Sequence, residues 1–330
     1  MKPNIVVSLA FMIIFHCFGT YASAATILVI ESYHKEYPWD MSYMEGLQAA
    51  LGNNHTIKRF EMDTKRLPKN RYQEKADQAM EAFMAIKPDL VVLGDDNALS
   101  YLGAKIDKTG TPIVFLGINS HPRDIGIDKL RNATGVLERP LFHRSISELR
   151  RIMREKLSKV LILFDSGNTS STAVKEAFGG KMNASIEGVG VDILQVVTEA
   201  EWKKAISESK DAGYDAIIVG LYQTLVDADG NNVDAASILN WTSINSPTPS
   251  FAFWDFSVGK NKAIGGLVLF GRTQGEDAAK LISTILNGTP PRNIVPVIGE
   301  KGRYLFSKSE LARWKLTLPP DIEKKAEWLE

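Results

Sequence analysis

The sequence predicts an α/β protein of two Rossmann-like, doubly wound parallel-sheet lobes joined by a multi-strand hinge. Three observations carry that expectation. From Ala25 onward, short apolar runs alternate with longer amphipathic segments, as parallel strands do when helices cover both sheet faces. The alternation runs twice, with a break near residues 135–138. Each apolar run also ends in Asp, Asn, Ser or Tyr, and open α/β sheets bind ligands outside the carboxyl ends of their strands.

The elements of the first lobe follow in order. Residues 26–30 read as a buried strand and 41–51 as a helix ending at Gly52. Residues 56–62 alternate like a strand. A long helix spans 70–86, with Ala76, Ala79, Met80, Phe83 and Ile86 on one face. Strands at 90–93 and 113–116 flank a helix at 98–106. The second lobe repeats the scheme: helix 142–157, strand 160–164, helix 171–181, strand 192–196, helix 199–212, strand 216–219, helix 233–245 and strand 250–254.

The tail departs from a plain tandem. A strand at 265–270, a helix at 273–286 and a short strand at 294–297 suggest that the chain returns to the first lobe and crosses again. The expected division is a leader at 1–24, a first lobe of 25–137 plus about 268–292, and a second lobe of 138–267 plus about 293–330. Lobes joined by several strands make a hinge with a cleft between them.

Composition narrows the function. Lys2, the apolar run 5–18 and Ala22-Ser23-Ala24 form a signal-peptide pattern with cleavage after Ala24, and the apolar core is too short for a spanning helix. This predicts export to the periplasm without stable membrane insertion. The single cysteine, Cys17, lies in the leader, so disulfides and thiolate zinc are excluded from the mature chain. The chain has 39 basic and 39 acidic residues and no basic stripe, which argues against nucleic acid. Motifs for a nucleophile elbow, a zinc protease or a phosphate loop do not occur, and His34 has no nucleophile beside it, so no catalytic residue, metal or cofactor is expected. The run 227–232 lacks Gly and Glu at the sixth and twelfth positions of a calcium loop and reads as a turn.

The candidate ligand-binding residues sit at the strand ends. Tyr33, His34 and Trp39 follow the first strand; Asp95, Asp96 and Asn97 follow the third; Asn119 and Ser120 follow the fourth. In the second lobe they are Asp165, Asn168, Ser170 and Ser171, then Tyr222, then Trp254 and Asp255, with Arg272 after the late strand. Asp95 and Asp96 suit an ammonium or sugar hydroxyls, the helix starts at Asn97 and Asn168–Ser171 suit an anion, and Arg272 suits a carboxylate. Tyr33, Trp39, Tyr222 and Trp254 offer flat apolar walls. Structural roles compete with each of these. Asp, Asn and Ser before helices are ordinary caps, Trp39 and Trp254 suit a core, and Arg272 and the Glu138-Arg139 pair suit hinge contacts.

The stretch Ser32-Tyr33-His34-Lys35-Glu36-Tyr37-Pro38-Trp39 is similar to the opening of the ABC-transporter substrate-binding family that includes tryptophan-binding components. Residues 94–98, 117–120, 253–259 and 271–291 resemble that family as well, and the whole resembles the type I periplasmic solute-binding proteins. The resemblance implies capture of a small polar ligand, an amino acid as first guess, for an ABC permease. Openings of this kind also resemble periplasmic sensor domains. The alternative is therefore a ligand sensor that docks on a membrane cyclase or kinase.

Overall fold

The computed structural model describes residues 24–299 and 301–330; the expected leader, apart from Ala24, lies outside the described residues. The first sheet contains β1 (Thr26–Glu31), β2 (Thr56–Glu61), β3 (Leu90–Gly94), β4 (Ile113–Ile118) and β5 (Ala133–Leu137). All pair in parallel in the order β2-β1-β3-β4-β5. Helices α1 (Pro38–Leu51), α2 (Tyr72–Ile86) and α3 (Asp95–Asp107) cover its faces. β1, β3 and β4 are almost wholly buried, which accounts for their continuous apolar sequence.

The second lobe runs α4 (Phe142–Met153), β6 (Lys159–Asp165), α5 (Asn168–Phe178), β7 (Asn183–Ile186), β8 (Val189–Val196), α6 (Glu199–Ser207), β9 (Ala216–Val219), α7 (Ala235–Asn245) and β10 (Ser250–Ala252). Its sheet order is β10-β9-β6-β8-β7. In both sheets the winding reverses beside the first strand, between β1 and β3 and between β6 and β9. Such reversal points open a crevice at the strand ends.

Three segments differ from expectation. The first helix begins at Pro38, so Trp39 and Asp40 occupy its first turn; proline's fixed φ suits that position. β7 pairs antiparallel with β8 through Glu187 and Gly188, at φ 48° and 83°, and its exposed edge needs no apolar run to announce it. The tail holds more structure than a short strand. After β11 (Gly265–Val268) and α8 (Gly271–Leu286), β12 (Val297–Ile298) adds to the first sheet beside β5. The return to the first lobe therefore reaches Ile298, beyond the expected limit near 292. β13 (Arg303–Ser307), α9 (Lys308–Trp314), α10 (Pro320–Glu323) and β14 (Glu327–Leu329) follow, with β11-β13-β14 forming a small mixed sheet.

The late helix is locked to the first lobe by glycine. A Cβ on Gly46 of α1 would collide with the Arg272 carbonyl, and one on Gly275 of α8 with the Tyr43 carbonyl. The Arg272 amide also donates to Ser42 Oγ at 2.8 Å. Backbone-to-backbone docking of this kind leaves no flexible side chain to give way. Gly275→Ala should therefore destabilise the protein by about 1–3 kcal/mol, read as a lower urea midpoint. An unchanged midpoint would show that α1 and α8 do not meet in this way.

Candidate functional site

The loops at the two reversal points face each other. The loop after β1 is laced to the loop after β3: Ser32 Oγ donates to the Gly94 carbonyl at 2.6 Å and accepts from the Ala98 amide at 2.8 Å. Beyond it, the Tyr33 hydroxyl donates to Asp95 Oδ1 at 3.0 Å and meets Thr169 Oγ1 of the second lobe at 2.8 Å. Asn168 Nδ2 donates across to Asn97 Oδ1 at 3.2 Å, and Lys175 pairs with Asp124. The lobes are thus closed on one another.

Asp95 is the most informative residue of the cleft. Its backbone lies in the left-handed region at φ 67°, a conformation that costs a non-glycine residue roughly 1–2 kcal/mol. That turn starts α3 with the carboxyl buried. Oδ1 is taken by Tyr33, whereas Oδ2 is buried without a partner. A Cβ built on Gly117, itself at φ 69°, would lie 3.2 Å from Asp95 Oδ2 and 3.3 Å from Trp39 Nε1. Trp39 Nε1 is likewise buried and unpartnered. One free acceptor and one free donor therefore flank the same small space.

Glu138 closes the base. Its Oε1 accepts from Trp254 Nε1 at 2.7 Å and its Oε2 from Asn119 Nδ2 at 3.1 Å. Burial raises its pKa to about 7 against the lowering effect of those two donors. Asp95 is pushed well above the carboxylate range by burial, and by Glu138 and Asp96 nearby. Asp40, fully buried with both carboxyl oxygens unpartnered, is pushed the same way by burial and by Asp95. The walls are aromatic. Tyr33 and Tyr37 meet edge to face at 4.8 Å, Trp254 and Phe256 stack at 6.4 Å, and Tyr37 and Phe256 approach to 6.0 Å. Lys65 places its ammonium 4.6 Å from the Tyr33 ring centre, a cation–π contact.

Of these groups, Tyr33, Tyr37, Asp95, Glu138, Trp254 and Phe256 line a small, partly open inner chamber of about 10 Å³. Tyr37 and Phe256 separate it from an outer groove of about 500 Å³, lined from the first lobe by His34 and Arg66 and from the second by Tyr222, Gln223 and Lys262. A third cavity of about 340 Å³ lies on the side of Asn119, Arg139 and Glu176.

Of the expected site residues, the structure brings Tyr33, Trp39, Asp95 and Trp254 to the inner chamber. His34, ion-paired with Asp63 at 3.3 Å, and Tyr222 edge the outer groove. Asn97 and Asn168 bridge the lobes, and Asn119 supports Glu138. Others are occupied by their own backbone. Asp96 accepts from the Asn119 and Ser120 amides at 3.1 and 2.9 Å, and the Ser120 carbonyl accepts from Arg139. Asp165 accepts from Gly167, Ser170 and Thr224, tying the loops after β6 and β9. Asp255 accepts from the Phe256 amide and is pushed up to about 7 by burial. Ser171 is exposed and accepts from Gln195. Arg272 is not brought to the cleft: it pairs with Glu45 of α1 and Glu276 of α8. Expectation missed Tyr37, Thr169 and Phe256 as chamber residues, and left Glu138 divided between a hinge pair and a ligand contact. Glu138 had a signal, since it follows the apolar end of β5 as Asp95 follows β3.

A two-lobed α/β fold with a polar and aromatic cleft at the facing strand ends defines a solute-binding protein. The family model described as ABC transporter substrate binding protein matches residues 36–329, and the chain belongs to that family. The family and fold are those of non-enzymatic binding proteins. Three solved structures share the fold. The ABC domain in complex with L-Trp from Streptococcus pneumonia superposes with TM-score 0.69 at 18% identity, covering 93% of this chain and 100% of that one. A conserved domain protein from Vibrio cholerae gives TM-score 0.68 at 16% identity, covering 93% and 100%. An ABC transporter solute binding protein from Agrobacterium vitis with bound D-fucose gives 0.59 at 12%, covering 92% and 100%. No curated protein matches the chain. Among the described residues, no helix is long and apolar enough to cross a membrane.

The carboxyl of Glu138 has a consequence for stability. Folded, it holds its proton up to about 7, while an unfolded carboxyl loses it near 4.5. The folded chain therefore binds more protons between those values, and stability from this group falls as pH rises through that window and is level above it. Asp255, also near 7, adds the same dependence. Glu138→Gln should shrink the stability drop between about pH 5 and about pH 8 by the share of one carboxyl, measured by urea unfolding. An undiminished drop would mean that Glu138 is ionised throughout.

Proposed function

We propose that this protein captures a small amine-bearing solute, with an amino acid as the simplest case, between its lobes and delivers it to an ABC permease. The observation that supports this reading is the buried, unpartnered Asp95 Oδ2 inside an aromatic enclosure. An ammonium group there would complete the acceptor, shield the carboxylates from one another and lie against Tyr33, Tyr37 and Trp254. Trp39 Nε1 would serve a ligand acceptor beside it. Burial holds Asp95 and Glu138 toward their protonated forms, and an ammonium that draws them into ionisation gains a charge pair that a neutral polyol cannot, so a cation is favoured over the sugars that suit Asp and Asn in general. Family membership favours transport over a sensor docked on a cyclase or kinase. The leader pattern supports a periplasmic location.

Closure follows from this arrangement. Asp95 belongs to the first lobe, whereas Thr169 and Trp254 come from the second, so a solute touches both only when the cleft is shut. A thermal-shift screen of amino acids, amines and sugars tests the proposal, because a solute bound only to the folded form raises the melting temperature by mass action. Amines or amino acids should give the shifts. Shifts from sugars alone would overturn the ligand class, and a protein partner that shifts the melt where no small molecule does would overturn solute capture.

Asp95→Asn keeps the shape and the bond from Tyr33 while removing the charge. It should weaken amine binding by about 10–100-fold, the worth of a hydrogen bond to a charged group, with the melting temperature of the free protein held or raised. Calorimetric titration reads the first and a thermal melt the second. Retained affinity would return Asp95 to a purely structural role.

A further inference from the structure

We infer that the ligand is longer than a single amino acid: an amino-terminated chain, for which a short peptide is the chemical model, with its ammonium in the inner chamber and its body in the outer groove. This rests on the solute-capture reading above and names the ligand class for the same cleft.

Size carries the first step. The inner chamber of about 10 Å³ admits about one water-sized group. An ammonium is of that size; an amino acid with its carboxylate and side chain is not. The rest of the ligand must lie beyond the chamber wall. Tyr37 and Phe256 line both the chamber and the groove and approach to 6.0 Å, so the body of a ligand anchored at Asp95 would reach the groove by parting those two rings. The groove's volume of about 500 Å³ falls within the range of small-molecule sites, about 300–1,000 Å³.

Charge carries the second step. Asp95 and Glu138 make the inner end acidic, while Arg66 and Lys262 stand at the groove. The acids of the groove are already engaged. Asp234 accepts from the Ser237 amide at 2.8 Å, where it caps α7, and Glu36 pairs with Lys35 at 3.8 Å. Arg66 is held by Asp63, and the exposed Lys262 donates to the Phe256 carbonyl at 3.2 Å beside the opening. Arg66 is thus as engaged as the acids are, and Lys262 is the base that a peptide bound amino end first would meet at its carboxylate. Between its ends, the side-chain amides of Gln223 and Asn232 line the groove where peptide groups would run.

Calorimetric titration with three matched probe sets tests this: free L-amino acids, di- and tripeptides of the same residues, and the same peptides N-acetylated. Free-amino peptides should bind at least about tenfold tighter than the matching amino acids, and acetylation should abolish binding. Lys262→Ala, at an exposed position, should weaken peptides several-fold. Amino acids binding as tightly as their peptides would overturn the inference while leaving solute capture intact. Equal binding of acetylated peptides would overturn the ammonium anchor. Binding of sugars alone in the thermal-shift screen would overturn both.

Discussion

The Tyr33 hydroxyl joins the two halves of this molecule at the point where two carboxyls are buried together. It binds Asp95 on its own lobe and Thr169 on the other, in a chamber where Asp95 and Glu138 are buried together. Carboxyls in such a place must be neutral, hydrogen-bonded or paired with a cation. Nearly all of the acids nearby have found donors: Asp96 and Asp165 on backbone amides, Glu138 on Trp254 and Asn119. Asp95 Oδ2 has not, and its residue is also held in a left-handed backbone conformation. A buried unpartnered acceptor costs about 1–3 kcal/mol. The closed cleft therefore carries an energetic deficit at Asp95 Oδ2, beside those at Trp39 Nε1 and the Asp40 carboxyl, and a solute donor bound as proposed would remove it.

The topology explains why that atom lies where it does. Each sheet reverses its winding beside its first strand, and the loops that leave those strands cannot pack on a common side. β1 and β3 deliver Tyr33, Trp39 and Asp95 to one wall; β6 and β9 deliver Thr169 and Leu221 to the other. The late return of the chain keeps the first wall rigid. Gly46 and Gly275 let α1 and α8 touch along their backbones, and Gln274 of α8 accepts from the Gly117 amide at 3.1 Å. Gly117 is the residue that flanks Asp95 and Trp39, so the helix that crosses back last supports the floor of the chamber.

Much of this was legible in the sequence, because parallel strands buried on both faces leave uninterrupted apolar runs, and polar residues at their ends announce the cleft. Asp95 and Trp39 were legible for that reason. What remained hidden depends on partners that no local pattern displays. Asp96 and Asp165 look like site residues by the same rule, yet their carboxyls are consumed by amides of neighbouring loops, a tertiary outcome. Arg272 looked like a carboxylate receptor, but helical spacing puts Glu276 one turn away and docking brings Glu45 alongside. Glu138, with Arg139, read equally as a hinge pair or a ligand contact. Its true partners, Trp254 and Asn119, are far from it in sequence. β7, β13 and β14 escaped notice because edge strands and small mixed sheets carry no long apolar run.

Glu138 also ties recognition to the hinge. It stands where the chain first leaves the first lobe, and Trp254 stands just before the chain turns back through β11 and α8. The bond between them at 2.7 Å thus links two crossings. Near its pKa of about 7 the carboxyl is divided between two states, and the ionised one is the stronger acceptor for an indole N–H. A cation in the chamber favours ionisation of both Asp95 and Glu138 by simple Coulomb attraction. A cation bound at Asp95 as proposed would therefore strengthen the Trp254–Glu138 and Asn119–Glu138 bonds, and so stiffen the crossings in the closed geometry. On the amine reading, lobe closure and cation recognition would be coupled through this carboxyl, beside the direct bonds of Tyr33 to Thr169 and Asn168 to Asn97.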